Sequence, residues 1–213
     1  MKKVAIIVPK GAVILSSVVG TFKLFSKVNE LLTEKDKLPY YAVHLVGEEP
    51  GQHRIYNGIF SINIDSTIQD FDQADIVVIP AVMGDFNQIL LDNNKIIDWI
   101  KSQHAGGAEI ASLCVGAFLL GATGLVNGRS CTTHWMAATG FRAMFPQVNL
   151  LEQKVITDEN GIYTSGGAYS FLNLILYLIE KFNGRELALI CAKIFEVDID
   201  RDKAGQAPFA IFK

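Results

Sequence analysis

The chain of 213 residues is poor in the residues that would commit it to the simplest assignments. Its three cysteines, at positions 114, 131 and 191, make neither an even disulfide framework nor a metal-ligand spacing. That favours a reducing compartment, read here as the cytoplasm. Four histidines, at 44, 53, 104 and 134, form no pair with an acid at ligand spacing, so no metal is expected. Gly-x-Gly-x-x-Gly and a P-loop lysine are both missing, so no nucleotide or other cofactor is expected. Positive charge is not in excess: 19 Lys and Arg face 22 Asp and Glu, which leaves no electrostatic footprint for nucleic acid. The apolar stretch Ile110–Val126 is too short for a membrane span and holds three glycines. At the N-terminus, Pro9-Lys10 interrupts the apolar run Val4–Val8 too early for a signal peptide. One further absence bears on chemistry: no Asp or Glu precedes Glu30.

What is present is core. Half of the residues are apolar and 19% are charged, enough for one sizeable α/β domain. Continuous apolar runs at Val4–Val8, Tyr41–Val46 and Asp75–Pro80 read as strands buried on both faces. Between them Val18, Val19, Phe22, Phe25 and Leu32 recur at helical spacing, with Pro39 as the breaker. Ile55–Tyr56 and Ile59–Ile64, divided by Asn57-Gly58, predict a hairpin. Helices are predicted from Phe86, with a second start at Asp92, and over Trp135–Phe145, Phe171–Phe182 and Glu186–Phe195. Val155–Thr157 and Ile162–Thr164 predict a second hairpin, and Ser130–Thr132 a short strand. Buried strands alternating with helices give a doubly wound, mostly parallel sheet in a single domain, 1–213.

The stretch Glu109–Gly121 stands out. It reads as a short strand, an abrupt turn at Cys114, then a helix of small and apolar residues. Ser112 and Gly116 flank Cys114 at the small-x-nucleophile-x-Gly spacing of a strand-to-helix elbow, where bulkier residues would clash. Such a turn presents the sulfur at a helix N-terminus, where the dipole favours thiolate. A buried cysteine acting as a small hydrophobe is the competing reading. Cys131 and Cys191 fall at core positions, His44 lies within an apolar strand as a core histidine, and His53 and His104 fall in loops. Ligands of doubly wound folds bind beyond the carboxyl ends of the strands. Pro9–Ser17, Pro80–Asp85 and Cys114–Gly116 all emerge there.

A family resemblance joins these segments. Ile79-Pro80-Ala81-Val82-Met83-Gly84, Ser112–Leu120, Gly124–Arg129, Thr132-Thr133-His134-Trp135 and Thr164-Ser165-Gly166-Gly167 together resemble the ThiJ/PfpI superfamily. Within it, the chain is most similar to the amidase-like sensor domain of AraC-type transcription regulators; the tail Gln206–Phe209 resembles the end of that domain. The resemblance implies a flavodoxin-like sandwich of the class I glutamine amidotransferase type, a homodimer, and a pocket centred on Cys114. It implies an oxyanion hole from the Val115 and Gly84 amides, and a histidine, His134, brought beside the sulfur. A Cys–His pair suits nucleophilic chemistry; a His134 satisfied by hydrogen bonds under Trp135 is the alternative. Enzymes of the superfamily often carry an acid after the first strand. Here that place falls at Ser17, which cannot hold a proton reservoir near neutrality, and Val115 stands where isonitrile hydratase-like members have threonine. Asp85 offers a carboxylate from another loop, or simply an N-cap. Two functions stay open: sensing of a small molecule or of redox state, and Cys-dependent hydrolysis or hydration of a small electrophile. AraC-type DNA-binding units are not expected within 1–213, since 184–203 holds four basic against five acidic residues.

Overall fold

A computed structural model describes residues 1–51, 53–56 and 59–199. Strand β1 (Lys2–Ile7) is an apolar run whose last four residues are wholly buried, as a central strand covered on both faces requires. The two-residue strand β2 (Ala12–Val13) leads into helix α1 (Leu15–Thr33), which buries Val18, Thr21, Leu24, Phe25 and Val28 along one stripe. The helix stops well short of Pro39, and Asp36 turns the chain with φ of 56°. Strand β3 (Tyr41–Gly47) follows, then the antiparallel pair β4 (His53–Tyr56) and β5 (Phe60–Asn63), and the short β6 (Ser66–Thr67). The hairpin expected there is present; its Asn57-Gly58 turn lies outside the described residues. His53 belongs to β4 rather than to a loop.

Strand β7 (Ile76–Ile79) runs into β8 (Val82–Met83), α2 (Phe86–Asp92) and α3 (Asn94–Ala105). Strand β9 (Glu109–Leu113) reaches the elbow, a 3-10 turn at Cys114–Gly116, and then α4 (Ala117–Ala122). This helix is shorter than the apolar run suggests. Thr123 takes the Leu120 carbonyl with its hydroxyl at 2.5 Å, and Gly124 turns the chain at φ of 74°. After β10 (Ser130–Cys131) the predicted helix 135–145 divides into a 3-10 turn, Trp135–Ala137, and α5 (Ala138–Met144). The chain closes with β11 (Asn149–Leu150), the hairpin β12 (Ile156–Glu159) and β13 (Ile162–Ser165), then α6 (Phe171–Asn183) and α7 (Arg185–Ile194).

Seven strands form the main sheet in the order β12-β13-β9-β7-β1-β3-β6, parallel except for β12. Helices α1, α6 and α7 pack on one another, and α2, α3 and α4 form a second cluster. The result is the doubly wound, flavodoxin-like sandwich. His44 also departs from expectation: it is half-buried, pairs with Asp65 at 3.4 Å and meets the edge of Phe71. Its strand is flanked on one side only by β6, which pairs with Val46 and Gly47 alone, so the position stays open to solvent. His104 lies not in a loop but in the last turn of α3, where its Nδ1 meets the Ala108 carbonyl at 3.0 Å.

Candidate functional site

The sheet changes winding direction between β1 and β7, since β3 lies on one side of β1 and β7 on the other. Crevices at such switch points hold ligands in open α/β sheets. Here the loops leaving those two strands are stitched together: β2 pairs antiparallel with β8, and the Ile14 amide donates to Ala81 O at 2.8 Å. Asn93, fully buried, holds the first of these loops through the Lys10 amide at 2.7 Å and the Lys10 carbonyl at 3.1 Å. The neighbouring strand β9 carries the elbow.

Cys114 has a φ of 54°, in the left-handed region that costs an ordinary residue roughly 1–2 kcal/mol. The strand-to-helix reversal demands it, and Gly116 makes room. A Cβ at 116 would stand 2.6 Å from Pro80 O and 2.8 Å from Ile79 O. Both polar groups of the Cys114 backbone are gripped by hydroxyls. Its amide donates to Ser165 Oγ at 3.4 Å, and its carbonyl accepts from Thr133 Oγ1 at 3.1 Å. The side chain is almost enclosed, with residue exposure of 3%. Burial pushes the thiol up to about 11; the Val115 amide, hydrogen-bonded to the sulfur, opposes that only in part. Thus desolvation outweighs the influence that favours thiolate, the Val115 amide.

The other expected residues lie on α1, on the segment after β7 and on the elbow itself. Ser17, in the first turn of α1, is buried; its hydroxyl donates to Ile14 O at 2.7 Å and accepts from the Ala81 amide at 3.2 Å. It ties α1 to the Pro80 turn, and its one donor is used. Gly84 is exposed with φ of 134°, and Val115 is half-buried. Asp85 is the N-cap of α2, its Oδ1 accepting from the Asn87 amide at 2.9 Å. Among the described residues no carboxylate bonds to the Cys114 sulfur, and no group of His, Cys, Asp and Glu is disposed to hold a metal.

His134 caps the Trp135–Ala137 turn: its Nδ1 accepts from the Met136 amide at 3.2 Å. The neutral ring therefore carries its proton on Nε2, and partial burial lowers its pKa. The ring stacks on Trp135 at a centroid separation of 5.8 Å. No described hydrogen bond joins His134 to Cys114. Their segments are nonetheless brought together, because Thr133, the residue before His134, bonds the Cys114 carbonyl. Thr133 and Ser165 lie inside the matching motifs, but their grip on the elbow spans 19 and 51 residues and has no local signature. Ser112 is wholly buried, and its Oγ finds no hydrogen-bond partner. Cys131 and Cys191 are wholly buried and not disulfide-bonded.

Chemically, the site offers a protonated thiol, an imidazole presenting N–H, and the amides of an elbow. No helix of the described residues is long and apolar enough to cross a membrane. The sequence profile described as the DJ-1/PfpI family matches residues 2–181. The chain is 28% identical over 195 residues to isonitrile hydratase of Pseudomonas putida, covering 88% of this chain and 79% of that protein. It is 25% identical over 155 residues to the HTH-type transcriptional regulator CdhR of Pseudomonas aeruginosa. That match covers 73% of this chain but only 45% of the regulator. In three dimensions it resembles the crystal structure of a putative transcriptional regulator protein from Vibrio parahaemolyticus. That likeness has a TM-score of 0.79 at 20% identity, covering 91% of this chain and 98% of the other.

Proposed function

From the premise that the chain belongs to the DJ-1/PfpI family, we propose that it is a small-molecule-sensing domain whose pocket centres on a protonated Cys114. One observation carries this reading: the thiol is almost enclosed and held above its ordinary value, and no described carboxylate bonds to it. A nucleophile at work near neutrality needs the opposite arrangement, a base or a positive partner lowering the thiol pKa. His134 does not supply that base in the neutral form described, because the lone pair it would use is on Nδ1 and already accepts from Met136. Its Nε2–H, with the Gly84 amide, suits a ligand bearing an acceptor oxygen. The regulators among its relatives support a role in reporting such a ligand.

We read residues 1–213 as one such domain, acting as a cytoplasmic homodimer without direct contact with nucleic acid. Three cysteines, an odd number, support the reducing compartment; sedimentation would check the dimer. A second reading, Cys-dependent hydration, is favoured by the similarity to isonitrile hydratase over 88% of the chain and by the Val115 amide aimed at the sulfur.

Thermal-shift measurements across amide-, amino-acid- and carboxylate-bearing metabolites separate the two. At a hundred times its Kd a true ligand adds about 2.7 kcal/mol, or roughly 5–10 °C for a chain of this size. Sensing predicts such a shift with no isonitrile turnover. Turnover abolished by Cys114→Ser would replace sensing with hydration.

A further inference from the structure

Thr133 joins two segments far apart in sequence, and it does so with a side chain that is wholly buried. Its neighbour Thr132 is anchored independently: the Thr132 amide donates to Thr164 Oγ1 at 2.7 Å and its hydroxyl donates to Lys154 O at 2.9 Å. Thr164 in turn meets Thr157 Oγ1 at 2.5 Å, so these hydroxyls run back into the β12–β13 hairpin. Residue 132 is thereby fixed to the sheet edge. The one step from 132 to 133 then reaches across to the Cys114 carbonyl at 3.1 Å. Immediately afterwards the chain turns: His134 O accepts from the Ala137 amide at 2.8 Å, and His134 Nδ1 accepts from Met136. The imidazole is therefore the first side chain beyond the tie, and the thiol belongs to the residue that receives it.

We propose that Thr133 is a positioning residue, whose buried hydroxyl sets the His134 turn against the Cys114 elbow and so fixes the surroundings of both side chains. The proposal rests on the reading of Cys114 as the centre of the pocket. A purely structural role would be shared with the rest of the elbow's hydrogen bonds, and the Cys114 carbonyl already accepts from the Ala117 amide as well. Loss of the Thr133 hydroxyl thus leaves that carbonyl satisfied, and the fold survives while the registry of turn and elbow is freed.

The test compares the full chain with Thr133→Val, which removes the hydroxyl at constant shape, and Thr133→Ser, which keeps it. Ring-nitrogen NMR reads the His134 tautomer, and iodoacetamide reads the thiol. In that reaction the thiol proton goes to solvent, the sulfur bonds the methylene carbon and iodide leaves. In the wild type His134 is the Nε2–H tautomer. In Thr133→Val it becomes a mixture of tautomers, and Cys114 is alkylated about fivefold faster, the rate equivalent of one net hydrogen bond. Thr133→Ser matches the wild type in both readouts. Should the valine variant not fold, Thr133→Ala takes its place. The proposal is overturned if either readout stays at its wild-type value in the hydroxyl-free variant, or if serine fails to restore it. Neither measurement uses a ligand, so a failed metabolite screen would count against the sensing function and leave this outcome standing.

Discussion

Gly116 lies against Pro80 so closely that a Cβ on it would stand 2.6 Å from the Pro80 carbonyl oxygen. The elbow and the turn after β7 are thus packed backbone to backbone, and neither can recede without disturbing a central strand. Gly116→Ala is expected to cost about 1–3 kcal/mol, the usual scale for overpacking. Urea unfolding reads it; a cost below about 0.5 kcal/mol would mean that the two turns are not in contact.

Placing an acid at position 17 is expected to cost stability without creating turnover. An ionised carboxylate cannot donate to Ile14 O as Ser17 does, and the site is 1% exposed. Ser17→Asp is expected to destabilise the chain by about 2–4 kcal/mol, the penalty for a buried polar group that loses its partners. No isonitrile turnover should appear. A stable, active Ser17→Asp variant would show that the pocket accommodates the hydratase arrangement.

The buried thiols make the fold sensitive to alkali. An unfolded thiol titrates near 9.0, whereas burial raises Cys114 to about 11, Cys191 to about 11 and Cys131 to about 12. The stability that this difference confers is complete below pH 9.0 and is lost as pH rises through about 11. Chemical denaturation at stepped pH should show that decline. Cys114→Ala should make it shallower, and an unchanged slope would place the Cys114 thiol in contact with water.

His134 gives the opposite dependence. Burial lowers its pKa below the ordinary 6.5, so its contribution is present above that value and fades as pH falls through the lower folded value. Protonation of Nδ1 also removes the acceptor that caps Met136. His134→Asn, whose side-chain oxygen can cap in its place, should abolish the acid dependence at a cost below about 1 kcal/mol. An NMR midpoint at or above 6.5 would contradict the described burial.

Much of this was legible in the chain because the controlling forces are local. The apolar runs at Val4–Val8 and Asp75–Pro80 are short, β-branched and closed by Pro9 and Pro80, which marks them as doubly covered strands, and the Ser112-x-Cys114-x-Gly116 spacing follows from the room that a tight elbow needs. The two-residue strands β2 and β8 had no such signature, because each exists only through its pairing with the other. The same holds for the Thr133 and Ser165 hydroxyls, whose partner is distant in sequence. His44 looked buried because its neighbours are apolar, but its exposure is set by how little of β3 the edge strand β6 covers. The elbow's spacing located the cysteine; only its enclosure says in which protonation state it sits.

That protonation state is the centre of the account, and alkylation measures it. The rate of iodoacetamide addition to Cys114, followed by mass spectrometry of its peptide from about pH 6 to about pH 10, tracks the thiolate fraction. A thiol near 11 predicts a rate still rising about tenfold per unit at the top of that range, with no plateau. A plateau below pH 9.0, the ordinary thiol value, would identify an activated nucleophile and contradict the sensing role.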